Sequence, residues 1–380
     1  MSIRASSHAT TADLIVVGGG LVGGALAWGA ACQGQRVLLL DEGDIAFRAA
    51  RGNFGLVWVQ GKGYGFSPYA RWTVAASRLW PQLAAQLQDE TGIDVQLQQP
   101  GGFHLCHGEA ELQARRERLA RIRADLGGDY PYEFLTPGEA RRQLPGLGSA
   151  VSGVSFCPLD GHINPLKLLL ALHQGSQQRG MGLRNGLRVT GITQAGGVFH
   201  VQTTDGLMQA PRLLLAAGLG NRTLAPMVGL RAAVIPNRGH VLVTERTGHF
   251  LDHPTTHIRQ TDEGTIQIGE SMEEVGLDDS LSQDILTRIA GRAARSFPAL
   301  SGLQLVRVWS ALRVMSPDGF PIYAESPTHP GAFVVSCHSG VTLAAAHAYR
   351  IAPWACGRAA PPGIEAFSDQ RFPADTGTPA

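Results

Sequence analysis

At 380 residues, with 48 glycines, 44% hydrophobic and 17% charged positions, the chain can bury a substantial core and implies two domains, or one large domain with an insertion. A formal net charge of +1 leaves no electrostatic footprint for nucleic acid or an anionic membrane, so the expected partner is a small molecule. The five cysteines (Cys32, Cys106, Cys157, Cys337, Cys356) are far apart without a C-x-x-C pair, which argues against a disulfide framework or zinc site and suits a reducing cytoplasm.

Residues 1–12 are short and polar with Arg4 as the basic group, so no signal peptide is expected. From Asp13 the chain reads as strand, glycine turn, helix, strand, acid. Gly18, Gly20 and Gly23 fit G-x-G-x-x-G: a tight turn, a close approach to pyrophosphate, and helix-on-strand packing. The helix start offers unpaired N–H groups to phosphates. Asp41, at the end of the next strand, falls where a carboxylate can accept from an adenosine ribose. The apolar run 14–32 contains six glycines and is read as this unit, not as a membrane span.

Next come the glycine-rich loop Arg51-Gly52-Asn53-Phe54-Gly55 and, after 57–60, Gly61-Lys62-Gly63-Tyr64-Gly65, a cofactor-covering loop or a hairpin; Tyr64 reads equally as a lid residue or a loop aromatic. An amphipathic helix is predicted over 67–90, with Ser67 as N-cap, Pro68 in the first turn, and Trp72, Leu79, Leu83 and Leu87 at helical spacing. A strand at 102–107, a charged helix at 109–125 and a short helix at 136–143 form an α+β insertion. His104 and His107 fall on opposite strand faces, so no metal site is expected. Asn164-Pro165 caps a helix to about 179, followed by strands at 187–193 and 198–203. A buried strand 212–217 ends in glycines, with Asn221 as the next cap. Alternating strands at 240–244, 256–260 and 265–269 suggest a half-exposed antiparallel sheet. A helix at 282–296, a strand at 306–313, the turn 316–321, a strand at 332–336 and a helix opening at 337–343 complete the chain.

In this order the segments resemble the D-amino-acid oxidase superfamily of flavoproteins, which includes glycine oxidase, monomeric sarcosine oxidase and D-amino-acid dehydrogenases. The matching residues are the first glycine motif with Asp41, the 51–55 loop, Gly161-His162-Ile163-Asn164-Pro165, Ala216-Ala217-Gly218, Pro236-Asn237-Arg238-Gly239-His240, Trp309 to Arg313 before Pro317-Asp318-Gly319-Phe320-Pro321, and His338-Ser339-Gly340. The resemblance implies an α/β FAD-binding domain, Rossmann-like and of glutathione-reductase type, with an α+β antiparallel-sheet substrate domain. The expected FAD domain is 12–80, 151–230 and 306–370; the substrate domain is 85–150 and 231–305. Non-covalent FAD is implied, bound by Gly18, Gly20, Leu21, Val22, Gly23, Asp41, Glu42, Arg51, Asn53, Phe54, Gly55, Val189, Ala217, Gly218, Arg313, Ser339, Gly340, Val341, Thr342 and Leu343. The last loop then approaches the flavin pyrimidine end, where a helix start stabilises negative charge.

By the same resemblance Arg313 binds a substrate carboxylate, since a guanidinium fork suits a planar carboxylate. His338 and Tyr64 complete the catalytic candidates, while His162 and His240 read as structural. Related enzymes carry a second basic residue near the last glycine loop, where this chain has Ser339. They carry an oxygen-promoting lysine where this chain has Gln267. The implied reaction is oxidation of an amino acid or secondary amine to the imine by hydride transfer to flavin N5, by a dehydrogenase rather than an oxidase. The acceptor would be a quinone, a dye or a partner subunit, in a cytoplasmic protein with a peripheral place at the membrane's inner face as a variant. The alternatives are an FAD-bearing subunit of a multi-subunit opine or hydroxyproline dehydrogenase, and a non-catalytic flavin-holding subunit. A nicotinamide enzyme would leave 216–218 and 338–340 unexplained, and near-neutral charge argues against an RNA-modifying relative.

Overall fold

Four consecutive apolar residues with no polar face, Leu14–Val17, form a strand buried from both sides, as the centre of a parallel sheet requires. The computed structural model describes residues 12–43, 49–269 and 271–373, so the leader reading of residues 1–11 lies outside it. The sheet has six strands in the order Ile322–Glu325, Ala332–Ser336, Leu213–Leu215, Leu14–Val17, Val37–Asp41, Gly182–Asn185. Every pairing is parallel except the first. Successive side chains alternate across the sheet. Leu14, Val16, Leu39 and Leu214 therefore pack with the helix Leu21–Cys32 on one face. Ile15, Val17, Leu38 and Leu40 pack with Phe199, Val201, Leu224 and Val228 on the other.

That second face is covered by a three-stranded meander, Val189–Ala195, Val198–Thr203 and Gly206–Ala210. Its last strand was not foreseen, because GLMQA carries little alternation.

The second body is a four-stranded antiparallel sheet in the order Ile258–Gln260, Thr265–Gly269, Ile235–Arg246, Leu305–Met315. The register places Asn237 opposite Arg313, Gly239 opposite Ala311, Val241 opposite Trp309 and Gln267 opposite Arg259. These residues share one face, since directly paired residues point the same way. The opposite face carries Leu242, Ile258, Ile266 and Ile268, packed against Ile289 and Ala293 of the helix Gln283–Ser296. One face is thus sealed by a helix, and the polar face turns toward the nucleotide domain.

Leu305–Met315, which spans the boundary expected at 306, pairs along its length with Ile235–Arg246. Gly153–Cys157, just past the boundary expected at 151, joins Gly102–Cys106 in a separate three-stranded sheet. The helix Ser67–Thr91 contains Pro81. Pro81 cannot donate to the Ser77 carbonyl four residues back, and Gln99 Nε2 donates to that oxygen instead at 3.3 Å. Ser67 makes no side-chain cap, whereas Asn164 does, accepting from Leu166 and Lys167. The last helical stretch starts later than expected, at Ala344, and includes a π-turn over His347–Ile351.

Candidate active site

Backbone geometry builds the nucleotide end. Gly18 has φ +105°, and a Cβ there would meet the Ala216 oxygen at 2.4 Å. A Cβ on Gly23 would lie 1.7 Å from the Gly18 oxygen, whereas one on Gly20 meets nothing closer than Ala50 Cβ at 3.5 Å. The glycines at 18 and 23 are thus fixed by the protein's own packing, and the one at 20 faces open space. Gly20 caps the helix without a side chain, and no acid lies in the first turn to repel an anion. The first helical bond runs from Gly24 N to Gly20 O at 2.7 Å. The Leu21, Val22 and Gly23 N–H groups precede it at the positively polarised helix start.

Asp41 accepts from Gly19 N at 2.7 Å and from Gly43 N at 2.8 Å, which orients its carboxylate at the strand tip. Beside it, exposed Glu42 pairs with Arg188 at 3.2 Å, adjacent to Val189. Ala217 N donates to Asn221 Oδ1 at 2.9 Å, and Gly218 turns with φ +59°. Asn221 was expected as a helix cap. Instead its buried amide donates to Leu215 O, Val335 O and Ser336 Oγ, stapling strand ends together. A Cβ on Gly340 would rest on Val22 and Leu21, so the last loop abuts the first helix start. An uncapped, acid-free helix start, an open Gly20 and a fixed carboxylate at the second strand tip are what the adenosine-diphosphate arm of FAD needs. The residues present fit that group.

The 51–55 loop is anchored from the antiparallel sheet. Trp309 Nε1 donates to Gly52 O at 3.3 Å, and buried Arg259 donates to Phe54 O at 2.6 Å and His162 Nδ1 at 3.1 Å. Burial lowers the Arg259 guanidinium to about 10, still charged at neutral pH, and lowers His162 to about 3, a neutral acceptor. Asn53 accepts from Gly55 N at 2.7 Å, and a Cβ on Gly55 would strike Ile163 O at 2.5 Å. Arg51, Asn53, His162, Gln267, Arg307 and Trp309 line one cavity of about 530 Å³. The buried Gln267 Oε1 has no hydrogen-bond partner. A larger cavity, about 770 Å³, borders Asp13, Arg212 and Trp354 at the amino ends of the parallel strands. Ligands of such sheets bind at the opposite, carboxyl ends.

Arg313 lies across Gly239, where a Cβ would meet the guanidinium at 2.3 Å. Its Nη1 donates to Asn237 Oδ1 at 3.2 Å and to the Ser271 carbonyl. His338 is exposed, yet burial by surrounding protein, then Lys62, then Arg313, hold its imidazole well below the usual histidine range. The imidazole is therefore neutral at pH 7. Its Nδ1 faces the Ser339 hydroxyl at 3.4 Å.

Tyr64 does not join this group; it is 48% exposed and its ring lies under Arg118, 4.9 Å away. The residue of that loop that reaches inward is Lys62, whose Nζ donates to Ser339 Oγ at 2.6 Å. Sequence reasoning passed over Lys62, and nothing in its local spacing marks it. Thr342 accepts from Trp58 N at 3.1 Å, tying the two loops together. His104 and His107 bond Thr256 and Ser296 respectively. His240, buried, bonds Ser271 at 3.0 Å and accepts from Ser282 N at 3.1 Å.

Residues 13–354 match the family model DAO, FAD dependent oxidoreductase. The chain belongs to this family of FAD-dependent oxidoreductases. It is 43% identical to the B subunit of opine oxidase from Agrobacterium tumefaciens (strain Ach5), over 95% of this chain and 97% of that protein. It is 26% identical to glycine oxidase of Geobacillus kaustophilus (strain HTA426), over 87% of this chain and 89% of that one. The crystal structure of glycine oxidase from Geobacillus kaustophilus superposes with a TM-score of 0.88 at 25% identity, covering 95% of this chain and 99% of that one. The expected family, fold and FAD cofactor are thereby established. Among the described residues, no helix is long and apolar enough to cross a membrane.

Proposed function

We propose that this protein oxidises a carboxylate-bearing secondary amine or amino acid to its imine, and that it does so as the FAD-bearing subunit of a hetero-oligomeric dehydrogenase. The observation that carries the reading is Arg313, laid over side-chain-free Gly239 within electrostatic reach of neutral His338. The kinship with an opine oxidase component that is itself named as one subunit of that enzyme supports the assembly. Gln267 on the sheet face, where related oxidases are expected to carry lysine, supports transfer of electrons to an acceptor other than oxygen.

FAD, when bound, accepts the two electrons and the hydrogen taken from the substrate carbon. The chain's part is placement. Arg313 holds the carboxylate, and Asn237 with the Ser271 carbonyl fix the guanidinium's plane. A neutral His338 adds no positive charge beside the amine and offers an N–H for a hydrogen bond. Alignment of this kind supplies much of the barrier reduction in such reactions. Gly18 to Gly23, Asp41, the 51–55 loop, Ala217-Gly218 and the Ser339–Leu343 loop are proposed to hold the cofactor without a covalent bond.

Anaerobic bleaching of the bound flavin by a panel of amino acids, N-alkyl amino acids and iminodicarboxylates tests this, with reoxidation by air compared against an artificial dye. Bleaching by one carboxylate class, with colour restored faster by dye than by air, is expected. Arg313→Lys should weaken substrate binding by about tenfold to a hundredfold through loss of the bidentate fork. Flavin that no amine bleaches, whether the protein is alone or assembled with its partner, would defeat the reading. Denaturation should release all flavin into solution.

A further inference from the structure

Arg259 is a charge buried without a counter-ion. It is 3% exposed, and among the described residues it forms no ion pair. Its Nε donates to Phe54 O at 2.6 Å, its Nη1 bonds His162 Nδ1 at 3.1 Å, and its guanidinium carbon lies 5.8 Å from the centre of the Phe54 ring. All three partners are neutral groups. Taking a cation out of water is costly when no anion receives it, so stability alone does not account for an arginine here.

What the residue does is join three segments that are far apart in the chain. Arg259 belongs to Ile258–Gln260, the edge strand of the antiparallel sheet, and stands opposite Gln267. Phe54 belongs to the 51–55 loop, and His162 pairs with Leu56 in a short ladder immediately after that loop. Two glycines make the approach feasible. A Cβ on Gly55, where φ is +88°, would lie 3.0 Å from Arg259 Nη2, and a Cβ on Gly269 of the neighbouring strand would meet the Phe54 ring at 3.0 Å. The loop therefore leaves room for the guanidinium, and the sheet leaves room for the loop's aromatic ring. Arg259, Asn53 and His162 border the same cavity of about 530 Å³.

We propose that Arg259 is a positioning residue for the oxidation step, fixing the 51–55 loop, with the flavin that this loop is proposed to hold, against the sheet that carries Arg313. The proposal rests on the cofactor-holding role of the loop and on the amine-oxidation reading above. Arg259 acts through the Phe54 carbonyl and His162, without touching the reacting atoms. A planar guanidinium that bonds two acceptors sets an angle as well as a distance, which a lysine ammonium on a flexible stem does not. The oxidation depends steeply on alignment of the substrate carbon with the ring that receives its hydrogen. With substrate held from the sheet and cofactor from the loop, that alignment is only as exact as the contact between the two.

Arg259→Met and Arg259→Lys test this, as whole chains saturated with FAD. The readouts are the circular dichroism of the bound flavin and the rate of anaerobic bleaching, against concentration, by the amine of the panel above that bleaches the parent. Urea unfolding of the flavin-free proteins is the control. Arg259→Met should change the flavin dichroism and slow the limiting bleaching rate by about tenfold to a hundredfold, with the half-saturating amine concentration nearly unchanged. Its unfolding midpoint should stay close to the parent's, because the cost of burying the charge is removed together with the two hydrogen bonds. Arg259→Lys should fall between parent and methionine in rate. A parental limiting rate and flavin dichroism in Arg259→Met would overturn the proposal, as would a slower rate accompanied by a matching fall in the unfolding midpoint. Bleaching by the amine would in either case leave the amine-oxidation reading standing, whereas failure of every amine to bleach the parent would remove both.

Discussion

Alanine at Gly23 and at Gly20 should have opposite signatures, although both positions belong to one glycine motif. At Gly23 the new methyl would lie 1.7 Å from the Gly18 carbonyl oxygen, less than the 3.0 Å that real contacts respect. The helix would have to back away from the turn by more than ~1 Å, and overpacking of this kind costs about 1–3 kcal/mol. At Gly20 the nearest atom would be 3.5 Å away and the backbone, with φ −72° and ψ −172°, suits any residue. Gly20→Ala therefore leaves the apoprotein intact and places a methyl where the pyrophosphate must approach.

Urea unfolding of flavin-free protein and FAD titration by fluorescence quenching separate the two effects. Gly23→Ala should lower the unfolding midpoint of the apoprotein and, through the displaced turn, weaken FAD by about 10–100-fold, the equivalent of 1.4–2.8 kcal/mol. Gly20→Ala should leave the midpoint unchanged and still weaken FAD by about tenfold or more. Parental FAD affinity in Gly20→Ala would refute the placement of the pyrophosphate over this helix start. A parental midpoint in Gly23→Ala would refute the helix-on-turn contact itself.

Gly239→Ala meets only the end of a side chain, the Arg313 guanidinium; it should cost little stability yet raise substrate KM about tenfold by pushing that group aside, and an unchanged KM would detach Arg313 from the substrate. Asn221→Ala leaves the Ala217 N–H and three strand-end groups without their partner in a fully buried place, a loss of about 2–4 kcal/mol readable by urea unfolding. Burial raises the Asp160 carboxyl to about 7, above its unfolded value near 3.9. Folding then favours the protonated form, so this contribution is complete below about pH 4 and is lost as pH rises through about 7. Asp160→Asn should flatten the stability slope over that window, and an unaltered slope would contradict the assignment.

The parts of the site that were legible in the sequence are those set by local rules. Gly18, Gly20, Gly23 and Asp41 follow from one strand-turn-helix spacing, whereas Arg313 was singled out only through the family resemblance, by its place before a Pro-Asp-Gly turn. The parts that were not legible join residues far apart in the chain. Lys62 meets Ser339 across 277 positions and Arg259 meets Phe54 across 205, and no periodicity encodes either pair. Pro236-Asn237-Arg238-Gly239 opens the strand Ile235–Arg246, which alternation marks only from His240. On the edge away from Leu305–Met315 the strand is bridged at Arg238 by Glu273 and joined by Thr265–Gly269 from Val241 onward, so the proline lies beyond the last of these pairings, where no N–H is needed.

Gly239 and the loop before Lys62 show two ways of fixing a cationic side chain. Removing a side chain from the sheet lets the Arg313 guanidinium lie flat on the backbone, where Asn237 and Ser271 hold it. The loop that carries Lys62 is held instead by Asp160, Tyr130, Arg115 and Arg118. Burying Asp160 and Arg115 is unfavourable by itself, as the raised carboxyl and lowered guanidinium values record. A stability-driven design would have replaced them with apolar residues of similar volume. Their presence fixes the loop before Lys62, whose Nζ donates to Ser339 Oγ and so joins that loop to the last loop of the nucleotide domain.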